Sequence, residues 1–303
     1  MNYHQAKPNL FIVGAPKCGT TFIYHYLNKS SEVYFPNKKS LNHFDQDLTY
    51  YKGRLSREQY LNQYTIPDYG NYKYFADTTV WYLYSRVAAY NIKEFNPDSK
   101  IIIIIRNPAD MLYSQHSQFI YNGNEDVKDF EQALNLENEI RKGNYIPKHC
   151  MIRESLYYRD TAMFYNQVER YMECFDEDND IMLLYDDLVS DAQSLMYQVY
   201  LYLNLDMREI TFESMGVNPN KKIRSITVRN LLLSKKFLKM CNFFHLSYTQ
   251  KIILRDKLRN INTKYIERQP LDEHVRMKIN SGFKDEIDKL SLLLNRDLSH
   301  WYL

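Results

Sequence analysis

Lys100-Ile-Ile-Ile-Ile-Ile105 places five isoleucines in succession. Side chains branched at Cβ favour the extended chain, and a strand that is apolar on both faces has to be covered on both faces. Such a run reads as a central strand of a parallel sheet held between helical layers. The rest of the chain alternates in the same sense. Residues 9–13 form a short apolar run ending in glycine, and Phe22, Ile23, Tyr26 and Leu27 then recur at helical spacing. Residues 33–35, 72–76 and 180–185 read as further strands. Residues 80–95, 127–142, 159–174 and 192–203 read as helices, and another helix begins near Ala109. Residues 37–56 are polar and read as an extended loop, and residues 226–301 read mainly as amphipathic helices with loops near 260–262 and Pro270. The pattern predicts an α/β fold, a three-layer αβα arrangement around a central parallel sheet. It is expected as a single domain over residues 1–303, mainly helical from about 226.

Charge and cysteine usage narrow the function. Lys and Arg number 39 against 37 Asp and Glu, a net charge of +2. Nothing global therefore attracts nucleic acid, and any anion site must be local. The four cysteines have no C-x-x-C spacing, which argues against a zinc site or a disulfide framework and for a reducing setting. The first residues lack an apolar stretch behind a basic start, and the isoleucine run is far short of the roughly 20 residues a membrane helix needs. The expectation is a cytoplasmic protein without membrane insertion, without a metal requirement and without a nucleic-acid partner.

Between the first strand and the first helix stands Gly14-Ala-Pro-Lys-Cys-Gly-Thr-Thr21. Successive backbone N–H groups of such a loop, together with the helix N-terminus, converge on an anion. The kinase and ATPase form, G-x-x-x-x-G-K-[ST], would place lysine where this chain has Thr20. Here Lys17 lies inside the loop after Pro16, where a cation reaches the bridging oxygen of a transferable group. Thr20 and Thr21 add hydroxyl donors. One α/β unit later the isoleucine strand exits into Arg106-Asn-Pro-Ala-Asp-Met-Leu-Tyr-Ser114, which offers a bidentate guanidinium and, on the following helix, a hydroxyl.

These two segments resemble the phosphate motifs of the sulfotransferases that use 3′-phosphoadenosine 5′-phosphosulfate (PAPS), in pattern closest to the glycan and heparan sulfotransferase branch. The resemblance implies the P-loop sulfotransferase fold and a 5′-phosphosulfate loop formed by Ala15, Pro16, Lys17, Cys18, Gly19, Thr20 and Thr21. It implies Lys17 as the catalytic lysine and Arg106 with Ser114 as the clamp on the 3′-phosphate. It also implies sulfonate transfer to an acceptor hydroxyl, most simply on a saccharide. Val217-Asn-Pro-Asn-Lys-Lys-Ile-Arg-Ser225 resembles the basic loop that closes over the cofactor, which makes Lys222 and Arg224 candidates beside Lys221 and Ser225. Asp77-Thr-Thr-Val-Trp81, Tyr185-Asp-Asp-Leu188 and Arg296-Asp-Leu-Ser-His-Trp301 resemble further segments of the family.

One position departs from the pattern. The branch carries its general base as glutamate in a K-E-x-x-x-F context, and the corresponding stretch here is Lys38-Lys-Ser-Leu-Asn-His-Phe44, with Ser40 in place of the glutamate. A serine has no proton-accepting form of suitable pKa near neutrality. His43, in the same loop, is the expected base, with Asp77 and His116 as alternatives. A binding protein that keeps the PAPS pocket without catalysis, or a kinase using ATP, are the rival readings.

Overall fold

The structure of the protein, a computed structural model, describes residues 4–51, 53–67, 70, 72–209, 212, 220–267 and 269–302. Among these residues five strands form one parallel sheet: β1 (Leu10–Gly14), β2 (Val33–Tyr34), β3 (Tyr74–Asp77), β4 (Lys100–Ile105) and β5 (Asp180–Leu184), in the order β2-β3-β1-β4-β5. All five isoleucines of β4 are buried, as are all residues of β1 and β3. The αβα expectation therefore holds, and the reason is the one the isoleucine run gives: a central strand with no solvated face.

The chain divides into two compact units. The first comprises residues 1–112, 158–213 and 272–303, and contains the sheet. Helices α1 (Thr20–Leu27) and α6 (Ala192–Tyr202) are tied together by the buried Tyr200, whose hydroxyl donates to the Tyr26 carbonyl at 3.3 Å. Helix α4 (Phe164–Cys174) packs against both α2 (Ala88–Phe95) and α11 (Lys284–Leu294). The short α5 (Tyr185–Ser190) follows β5 directly, and α10 (Glu273–Ser281) precedes α11.

The second unit comprises residues 113–157 and 214–271, so that α3 (Pro108–Asn122) begins in the first unit and continues in the second. Its other long helices are α7 (Ile226–Leu233), α8 (Lys235–Phe243) and α9 (Tyr248–Ile261). β6 (Asn220–Ile223) and β7 (Thr263–Ile266) pair as a two-stranded antiparallel ribbon.

Several boundaries differ from the sequence reading. The helix expected over 80–95 starts only at Ala88, because residues 80–84 form turns that dock on β1: the Leu83 amide donates to the Val13 carbonyl at 2.8 Å. The helices expected over 127–142 and 159–174 are each split in two. Residues 263–266, taken as part of a helical tail, pair as a strand with 220–223, so that residues 220–223 of the expected basic loop are a strand.

Candidate active site

β1 and β4 are neighbours, with Gly14 opposite Ile103, and the amide of Ala15 continues the ladder to the Ile104 carbonyl at 2.6 Å. The 14–21 loop and Arg106 therefore leave the sheet side by side at its carboxyl edge, where open α/β sheets bind ligands. Two glycines make the turn possible. A Cβ on Gly14 would lie 2.6 Å from the Leu83 Cβ, and one on Gly19 would lie 2.5 Å from Leu188 Cδ2. Gly19 also has φ +101°, and Lys17 adopts φ +64°. These left-handed residues curl the backbone so that it enters α1 with Gly19 as an N-cap lacking a side chain, and the helix N-terminus opens onto the loop.

The charges of the site meet at Cys18. Its thiol is buried, donates to the Pro16 carbonyl at 3.4 Å, and is pushed up to about 12 by burial. The positive charges of Arg106 and then Lys17 oppose that shift, and Asp186 adds to it. Cys18 thus offers the site its backbone rather than its sulfur, and the charges of Arg106 and Lys17 both reach it.

Arg106 is held by two of the further family-like segments, Tyr185–Leu188 and Arg296–Trp301. Its guanidinium carbon stands 4.2 Å from the centre of the Tyr185 ring, and that ring also lines Gly19. Tyr185 is fixed by its neighbours: Trp301 Nε1 donates to Asp186 at 2.6 Å, and Arg296 forms a bidentate pair with Asp187 at 2.9 and 3.2 Å. Asn107 Nδ2 in turn donates to the Trp301 carbonyl at 3.0 Å. Asp110 lies 3.8 Å from Arg106, but Arg276 of α10 holds it with two bonds of 2.8 and 3.0 Å. Arg276 therefore satisfies the carboxylate that would otherwise neutralise Arg106.

A family profile described as "Sulfotransferase domain" matches residues 7–244. The chain belongs to the sulfotransferase family. It is 30% identical over 117 residues to the bifunctional heparan sulfate N-deacetylase/N-sulfotransferase 1 of Xenopus laevis, covering 37% of this chain and 13% of that protein. It is 23% identical over 288 residues to carbohydrate sulfotransferase 15 of Homo sapiens, covering 74% of this chain and 48% of that protein. The chain thus spans less than half the length of either relative. The solved sulfotransferase of Alicyclobacillus acidocaldarius shares the fold, with a TM-score of 0.70 at 21% identity over 98% of this chain and 100% of that one.

In this sulfotransferase the loop residues do not all play the part the motif suggests. The Ala15 amide is spent on the sheet and Pro16 has no N–H, so both shape the loop rather than donate from it. Thr20 is buried and Thr21 exposed. The hydroxyl of Thr21 accepts from Lys39 Nζ at 2.8 Å, a contact the sequence reading missed. Lys39 also stands 4.9 Å from the centre of the Tyr24 ring, and burial brings its ammonium down to about 8. Ser40, the next residue, donates to the Thr78 carbonyl at 3.1 Å. The Thr79 hydroxyl accepts from the amides of Leu41 and Asn42 at 3.0 and 3.3 Å. The segment after β3 therefore pins the 39–42 stretch beside the loop.

His43, expected as the base, packs against residues outside the 14–21 loop. Its ring stacks on Tyr60 at 4.5 Å, and its Nδ1 lies 3.2 Å from the Leu55 carbonyl. It lines a groove with Lys7, Arg54, Arg57 and Phe95, none of them from the 14–21 loop. Burial holds its pKa below the ordinary histidine value, partly offset by the Leu55 carbonyl. Between Lys39 and His43 the backbone passes through Asn42 at φ +52°. Asp77 is fully buried and accepts from the hydroxyls of Thr79, Tyr82 and Tyr60 at 2.6, 2.9 and 3.1 Å. Burial raises its pKa to about 6 against those bonds. His116 is buried in the second unit, with Nε2 2.8 Å from the Val127 carbonyl.

Three other candidates lie in the second unit. Ser114 is buried on α3. Lys222 is an exposed residue of β6 opposite Lys264, and the Arg224 amide donates to the Asn262 carbonyl at 2.8 Å. Residues 217–219 of the expected cofactor loop lie outside the described residues. Among the described residues no group of three or more His, Cys, Asp or Glu side chains is placed to hold a metal ion.

Proposed function

We propose that this sulfotransferase moves sulfonate from PAPS to an acceptor hydroxyl on a saccharide. The observation that carries the reading is the meeting of Lys17 and Arg106 at one loop, without a lysine at the Thr20 position that would make the loop an ATP site. In the transfer, the bond between sulfur and the 5′-phosphate oxygen breaks, a bond from sulfur to the acceptor oxygen forms, and the hydroxyl proton passes to solvent water. Lys17 stabilises the charge that builds on the departing phosphate. The α1 N-terminus and Thr20 hold the 5′ side, and Arg106 reads the 3′-phosphate. The saccharide acceptor is supported by the two relatives whose names carry heparan sulfate and carbohydrate. Calorimetric titration of the protein with adenosine 3′,5′-bisphosphate (PAP), run beside ATP with Mg²⁺, tests the donor. Preferential binding of PAP is expected, and preferential binding of ATP with Mg²⁺ would hand the site to a kinase.

Lys39 adds a second cation on the 5′ side through Thr21. Burial leaves its amine about half neutral near pH 8, and an incoming phosphate favours the charged form. PAP binding at that pH should therefore take up about half a proton. The uptake shows as a dependence of the binding enthalpy on the ionisation enthalpy of the buffer. Lys39→Met should abolish it and weaken PAP by about five- to tenfold. Lys39→Arg should bind PAP with no proton uptake. An unchanged buffer dependence in Lys39→Met would assign the proton to another group.

A further inference from the structure

The net charge of +2 conceals a strong local imbalance. Residues 220–264 hold twelve lysines and arginines against one acidic residue, Asp256. The same stretch exposes apolar side chains. Of the 25 large hydrophobic residues exposed among the described residues, 12 lie between Ile226 and Tyr265, so the exposure is a patch rather than scatter. The helices do have a core of their own: Leu232, Phe237 and Cys241 are buried, with Leu246, Leu254 and Leu258 packed against them. That core uses one side of α8. On another side Lys236, Lys239, Met240 and Phe243 recur at i, i+3, i+4 and i+7, which is one stripe of a helix, and all four are exposed. Phe243 is 79% exposed and Phe244, just beyond the helix end, is 65% exposed.

The chemistry of the stripe selects its occupant. A second copy of the same face would bring like charges together. An acidic polysaccharide or a nucleic acid would satisfy the lysines but offer the phenylalanine rings no apolar partner. An anionic bilayer supplies both, with headgroup charges for the ammonium groups and the acyl boundary for the rings. No described helix is long and apolar enough to cross a membrane, so the contact is peripheral. We propose that the outer face of α8, with the turn at Phe244, docks this protein on an anionic lipid surface. This inference is independent of the donor-site reading, since none of its residues belongs to the loop or to the Arg106 cluster.

The test is flotation of the full chain with phosphatidylcholine vesicles, with and without phosphatidylserine, at about 0.1 M salt. Binding is expected only with phosphatidylserine. It should fall about tenfold or more both in Phe243→Ser/Phe244→Ser and in Lys235→Glu/Lys236→Glu/Lys239→Glu, with circular dichroism and PAP affinity unchanged. Phe244→Trp keeps the fold while reporting the ring, and its emission should shift to the blue on phosphatidylserine vesicles. Absence of flotation in the parent chain overturns the proposal. So does a serine pair that floats as well as the parent while the glutamate variant does not, which with retained heparin binding identifies a polysaccharide surface. Self-association that the serine pair abolishes without vesicles would make the face an interface between copies.

Discussion

Lys17→Ala will lower turnover by about a hundred- to a thousandfold, the range found when a preorganised donor to developing charge is removed. PAP affinity should stay within a few fold. The two outcomes separate because the ground state already has other anion contacts: the α1 N-terminus, and Arg106, whose charge reaches the same loop. Lys17 matters most when the phosphate gains charge as sulfonate departs. The substitution also tests cleanly, because Lys17 already sits at φ +64°, where alanine adds no strain that lysine does not bear. Turnover should be followed at saturating donor and acceptor, with PAP binding by calorimetry. Lys17→Arg, which keeps the charge but not the point geometry, should recover part of the rate. Unchanged turnover in Lys17→Ala would remove the lysine from the mechanism and move its role to Lys39.

The parts of this site that could be read from the chain are those in which one local rule suffices. An unbroken isoleucine strand has to be central, and a glycine loop between a strand and a helix has to face an anion. Arg106 is positioned by the strand that precedes it. The parts that could not be read depend on distant pairings. Residues 263–266 look helical until 220–223 are seen to supply the partner strand, about forty residues away. Residues 80–84 look like a helix start, but the close approach of Leu83 to Gly14 holds them as turns. Lys39 stood beside the serine that drew attention, and only burial against Tyr24 and Thr21 distinguishes it from any surface lysine. The surroundings of His43 were hidden for the same reason. Its neighbourhood is set by Tyr60 and Leu55, in a segment whose course the sequence left as extended loop.

Arg106→Ala should weaken PAP by about 30- to 100-fold, about 2–3 kcal/mol, the worth of a charge-assisted bidentate contact. Adenosine 5′-phosphate, which lacks the 3′-phosphate, should lose less than about threefold. The expectation rests on Arg106 being poised rather than spent. Its ring partner Tyr185 orients the guanidinium plane without neutralising it, and the nearest carboxylate, Asp110 at 3.8 Å, is already engaged by Arg276. Removing Arg276 then becomes the second arm. In Arg276→Ala the Asp110 carboxylate is free to turn to Arg106, so PAP affinity should fall although the substituted residue is assigned no contact with the nucleotide. Asp110→Asn in the Arg276→Ala background should restore it, since the amide carries no charge to compete with the phosphate. Equal losses for PAP and adenosine 5′-phosphate in Arg106→Ala would mean that Arg106 supports the loop and reads no phosphate. A failure of Asp110→Asn to rescue would mean that Arg276 acts by packing α10 against the start of α3, where the Asn280 side chain accepts from the Ala109 amide at 3.4 Å.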